Sequence, residues 1–128
     1  MKKRIPGFLV STIILTAIAT AAISEFRQNS QAQVLRHVVL IDLDVEATDS
    51  VITMMNQDLE ELKDNINQIQ KLEFGSNIHE SADYSHCMFL TFASLDDLKE
   101  YEEHPLHLEF ASNYGKYVIK KTEVDYWR

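Results

Sequence analysis

The order in which hydrophobic periodicity changes along the chain limits the fold more than any other feature. Leu35, His37, Val39, Ile41 and Leu43 alternate with Arg36, Val38, Leu40 and Asp42, the two-residue period of a strand with one strongly apolar face and one mixed face. Ile52, Met55, Leu59, Leu62, Ile66 and Ile69 then recur at steps of three and four, behind Thr48-Asp49-Ser50, whose oxygens suit a helix N-cap. This predicts an amphipathic helix of about four to five turns. Leu72 to Gly75 reads as a short strand, Ser76 to Tyr84 as a polar loop in which His79 is solvated, and Ser85 to Phe92 as a strand apolar on both faces and therefore central. Ser94 begins a helix with Leu95, Leu98 and Tyr101 on one side, and Tyr117 to Trp127 closes the chain as a fourth strand. Strand, helix, strand, strand, helix, strand is the ferredoxin-like split βαβ arrangement, an α/β (α+β) class. Right-handed crossovers predict an antiparallel-rich sheet of order 4-1-3-2, with the first and third strands parallel and adjacent. On that placement His37 and His86 approach each other at one end of the sheet, under the helix that carries Tyr101 and His107.

The stretch Tyr101-Glu102-Glu103-His104-Pro105-Leu106-His107-Leu108-Glu109-Phe110 gathers a phenol and two imidazoles around a proline. Proline lacks an amide donor and biases the preceding residue away from helical geometry, so one helix should stop near Glu103 and another begin at Pro105. His104 then falls at the N-cap. His107 falls in the first turn, where free amides and the positive end of the helix dipole disfavour an imidazolium and leave a neutral ring able to take a proton. Glu102, Glu103 and Glu109 push the other way. Buried polar groups need partners, and three histidines and a tyrosine converging in one core point to use as well as to packing.

The first 32 residues read differently. Met1-Lys2-Lys3-Arg4 is a basic start, Ile5 to Ser24 is uncharged, and Ser30-Gln31-Ala32 is an acceptable small-x-small cleavage site. Residues 1–32 are therefore expected to be an export signal, or a membrane anchor if uncleaved, and residues 33–128 the folded domain. That expectation places the domain in the periplasm or outside the cell, with inner-membrane attachment as the alternative. The chain as a whole carries a formal charge of −8, and discounting Lys2, Lys3, Arg4, Arg27 and Glu25 leaves −11 from Gln33 onward. Such a surface repels phosphate backbones, which argues against nucleic-acid binding. Cys87 is the single cysteine, so no intrachain disulfide can form. A domain this small often gains from pairing with a second copy. The apolar residues Val38, Leu40, Cys87 and Phe89, opposite His37 and His86 on their strands, predict a homodimer.

Leu35-Arg36-His37-Val38-Val39-Leu40, Tyr84-Ser85-His86 through Thr91-Phe92, and the Tyr101 to Phe110 stretch together resemble the stress-responsive dimeric α/β-barrel (Dabb) domain family over about Val34 to Trp127. The resemblance implies a ferredoxin-like protomer whose sheet packs against that of a second subunit. It also implies similarity to the olivetolic acid cyclase type, which folds a linear polyketide thioester into an aromatic acid without a cofactor. By that resemblance Tyr101 and His107 are the catalytic pair, and His37, His86 and His104 are pocket residues that bind substrate. No metal ligands and no cofactor are assigned. Three readings follow: an exported protein binding a small, partly apolar ligand or using its histidines structurally; a lyase or cyclase working by acid–base chemistry; and a metal- or haem-binding, monooxygenase-like protein.

Overall fold

The computed structural model describes residues 33–128, and the expected export segment, residues 1–32, lies outside them. Strand β1 (Leu35–Leu43) leads through helix α1 (Asp49–Asn65) to β2 (Lys71–Ser76) and β3 (His86–Phe92). Helices α2 (Leu95–Glu103) and α3 (Pro105–Tyr114) follow, then a short 3₁₀ turn (Gly115–Tyr117) and β4 (Val118–Trp127). Each helix begins where its sequence supplies an acceptor. Thr48 Oγ1 accepts from the Val51 amide at 3.4 Å, Ser94 Oγ from Asp97 at 3.0 Å, and His104 Nδ1 from Leu106 at 3.3 Å. The proline breaks the second helical region as expected, with His104 both ending α2 and capping α3.

The four strands form one sheet of order β2-β3-β1-β4. The order is the expected one, but β1 and β3 run antiparallel, not parallel. The reason is geometric: the β1-α1-β2 crossover leaves a gap one strand wide, and β3, returning by a hairpin from β2, fills it in the opposite direction. This changes the placement of the histidines. In the β1–β3 register His37 faces Leu90 while His86 faces Ile41, four positions further along β1 and so about 13 Å away at strand rise. They share a face of the sheet but not an end.

That face is covered by the helices and holds the core. Leu35, Val39 and Ile41 of β1, Leu72 of β2, and Leu90 and Phe92 of β3 pack against Met55, Leu59 and Leu62 of α1, with Leu98 and Tyr101 of α2 and Phe110 and Tyr114 of α3. Ile66 and Ile69 are buried too, but α1 has ended at Asn65, so they belong to the turn into β2. The opposite face has no helix. It presents half-buried Val38, Leu40, Cys87 and Phe89 beside exposed Val124 and Tyr126 of β4. Arg36 lies on this face with its guanidinium over the Phe89 ring, one amine bonded to Thr91 Oγ1, and its Nε sealed off without a partner.

Candidate functional site

Between the covered face of the sheet and α1 and α3 lies a cavity of about 350 Å³. Val39 and Ile41 of β1, Met55 of α1, Met88 of β3, Phe110 of α3 and Val118 of β4 give it an apolar wall. Its polar groups are His37, Tyr101, His107, Lys121 and Glu123, together with Tyr114, whose hydroxyl is bonded to Asp58. The break at Pro105 sets up one half of this constellation. It swings α3 away from α2 so that His107, in the first turn of α3, comes back beside Tyr101, with ring centroids 4.3 Å apart. His107 Nδ1 lies 3.0 Å from the carbonyl oxygen of Glu102, one of the carbonyls that α2 leaves unpaired at its end. A carbonyl can only accept, so Nδ1 carries a proton there, and in the neutral ring Nε2 carries the lone pair.

His37 enters from β1 and is 4 % exposed. Its Nδ1 is 2.7 Å from Asp125 Oδ1 on the neighbouring strand, in the register that sets His37 opposite Asp125. Its ring centroid is 6.4 Å from that of Tyr101. Tyr101 thus has two imidazoles beside its ring, one from β1 and one from α3. Burial, and then the charges of Glu102 and Glu123, push its phenol well above the usual tyrosine range, so it is a neutral O–H donor at any physiological pH. Glu123 is held below the ordinary glutamate value, first by its hydrogen bond from Lys121 and then by the Lys121 charge, with burial opposing. The Lys121–Glu123 pair, 2.8 Å apart, stands on the same face of β4 as Asp125.

The sequence-derived residues separate into two groups. His37, Tyr101 and His107 come together. His86 does not join them: it stacks on Phe74 at 5.4 Å and 11°, with its Nδ1 3.0 Å from Ser85 Oγ, and lines a different hollow of about 530 Å³ with Phe74, Gly75 and Cys87. Burial lowers its pKa and Asp42 partly offsets this. His104 is also outside the cavity, because its imidazole is committed to the Leu106 amide as the cap of α3. His79 is exposed in the β2–β3 loop, as expected. Three contributors, Lys121, Glu123 and Asp125, come from β4, whose sequence marks it only as the closing strand. Their alternation marks one face of β4, but only the register against β1 puts that face beside His37. Among the described residues no three His, Cys, Asp or Glu side chains converge as a metal-ligand set.

A four-stranded antiparallel sheet with helices on one side, enclosing a cavity lined by a phenol and two imidazoles, defines a ferredoxin-like α+β protein. The model of the stress responsive A/B barrel domain matches residues 35–128, and the chain belongs to that family. Solved structures agree with the fold. A dimeric ferredoxin-like protein from Bacteroides fragilis is 27 % identical, with a TM-score of 0.63 over 73 % of this chain and 94 % of that one. A Dabb family protein from Mesorhizobium loti is 23 % identical, TM-score 0.64, over 73 % and 95 %. A hydroxynitrile lyase from Passiflora edulis is 20 % identical, TM-score 0.70, over 76 % and 94 %. No curated protein matches the chain at a significant level.

Proposed function

We propose that the cavity binds a small, partly apolar carbonyl compound and acts on it by acid–base chemistry without a cofactor. The observation that carries this reading is the Tyr101 hydroxyl. Tyr101 is 4 % exposed, yet among the described residues its hydroxyl makes no hydrogen bond, and it lines a cavity between His37 and His107. A buried hydroxyl left open toward a cavity is suited to a ligand acceptor. In the reaction, His107 Nε2 takes a proton from the carbon next to the carbonyl. The C–H electron pair shifts to make the enolate, and Tyr101 donates to the oxygen where the negative charge develops. The apolar wall of Val39, Ile41, Met55 and Phe110 takes the rest of the molecule.

A short 3-oxoacyl thioester of N-acetylcysteamine in D₂O tests this directly. The protein is expected to accelerate deuterium entry at the carbon between the two carbonyls. Exchange equal to the buffer rate, with no binding detected at millimolar probe, sinks the reading.

The proposal includes a homodimer. The uncovered face, with Val38, Leu40, Phe89 and Val124, is an apolar surface in need of cover, the Arg36 Nε lacks an acceptor, and the similar protein from Bacteroides fragilis is described as dimeric. Sedimentation is expected to give twice the chain mass, and a monomer at micromolar concentration defeats it. It also includes export, on the basic start and uncharged run of residues 1–24. Recovery of the intact chain from the soluble cytosol after cell fractionation counts against export.

A further inference from the structure

We propose that Asp125 is a positioning residue that makes His37 a second proton-transfer group in the cavity, so that the site has two bases and not one. The inference rests on the acid–base reading above and deepens it. Three observations lead to it. The carboxylate of Asp125 is 2.7 Å from His37 Nδ1, and a carboxylate accepts only, so the proton of the neutral ring sits on Nδ1. His37 Nε2 then carries the lone pair, and among the described residues it makes no hydrogen bond. Nε2 is not a sealed, orphaned atom either, a condition found only at Arg36 Nε among these residues, so it opens toward the cavity that His37 lines.

A histidine that merely filled the core would have both nitrogens engaged or one of them shut away. This one has the far nitrogen anchored and the near nitrogen free, the same arrangement that the Glu102 carbonyl imposes on His107. Both rings lie beside Tyr101, 6.4 and 4.3 Å from its ring, and both leave Nε2 unengaged. One of them can therefore take a proton from a bound carbonyl compound while the other returns one, with the phenol beside them holding the oxygen. Asp125 touches neither ligand nor reacting atoms. It acts only by fixing the ring.

The test uses the full chain and substitutes Asp125→Asn and Asp125→Glu. Long-range ¹H–¹⁵N spectra report the tautomer of His37 without any ligand. The unmodified protein is expected to show the Nδ1–H form, and Asp125→Asn, which can turn a donor toward Nδ1, to move His37 to the Nε2–H form. With the 3-oxoacyl thioester at saturation, deuterium exchange is expected to fall on the order of tenfold in Asp125→Asn while KM stays within about twofold, and Asp125→Glu to restore most of the rate. In a His107→Ala background, adding Asp125→Asn is expected to lower the residual exchange further. An Nε2–H tautomer in the unmodified protein overturns the proposal, as does an Asp125→Asn variant that changes tautomer but exchanges at the full rate. If the unmodified protein catalyses no exchange, the acid–base reading and the proton-transfer role of His37 fall together, and the tautomer spectra still decide whether Asp125 sets the ring.

Discussion

His37 and His86 are the same residue type on the same face of adjacent strands, and the two ends of the sheet treat them differently. At the His37 end, α2 and α3 close over the sheet and supply Tyr101 and His107, while β4 supplies Asp125. At the His86 end the strand lies next to the β2 edge, and the ring finds a stacked Phe74 and the Ser85 hydroxyl. The lesson is that a histidine on the inner face of a strand becomes part of a site through what covers its position along the strand. Face alone, which the alternation in the sequence supplies, is not enough.

The two ends of the sheet differ most in exchange rates. His107→Ala removes the base that takes the proton from carbon and Tyr101→Phe removes the donor to the developing oxyanion, so each is expected to slow deuterium exchange by on the order of a hundredfold or more. His86→Ala is expected to leave the rate within about twofold, and a loss as large as that of His107→Ala would falsify the separation of the two ends.

Two buried tyrosines differ in what their hydroxyls contribute to stability. The Tyr114 hydroxyl donates to Asp58 at 2.6 Å, whereas that of Tyr101 has no protein partner among the described residues. Tyr114→Phe is therefore expected to cost about 1 to 2 kcal/mol in thermal or urea unfolding. Tyr101→Phe is expected to cost less than about 0.5 kcal/mol, below the net worth of one hydrogen bond, because the deleted hydroxyl breaks no intramolecular bond. Equal losses for the two variants would mean that the Tyr101 hydroxyl is a structural group.

The smallest effect is in alkaline solution. Burial, with the Asp58 bond and charge, pushes the Tyr114 pKa up to about 12, and the phenol of Tyr101 moves in the same direction. A raised folded-state pKa stabilises the protein fully below the unfolded value of about 10, and this contribution is lost as pH climbs through the folded value. Stability is thus expected to decline from about pH 10 toward pH 12, with a shallower decline in Tyr114→Phe. Denaturant midpoints measured across that interval check it, and an unchanged slope in the variant removes Tyr114 as a cause.

Much of the molecule could be read from the chain because the deciding interactions are local. Alternation along Leu35 to Leu43 defines the inner face of β1, Thr48 and Ser94 cap their helices through bonds to amides three residues on, and Pro105, which has no amide to donate to the turn before it, ends one helix and opens the next. His107 was within reach for the same reason, since it meets Tyr101 and the Glu102 carbonyl across a break only a few residues long. Tertiary structure alone decided the direction of β3 against β1, which parts His86 from His37, and the register of β4, which brings Asp125 to His37 across 88 positions of sequence. A strand's own residues specify which way its side chains alternate, but they do not specify which neighbour it pairs with or at what offset. Those are settled by closing the whole sheet under its helices, and the polar half of the cavity that depends on β4 exists only once that has happened.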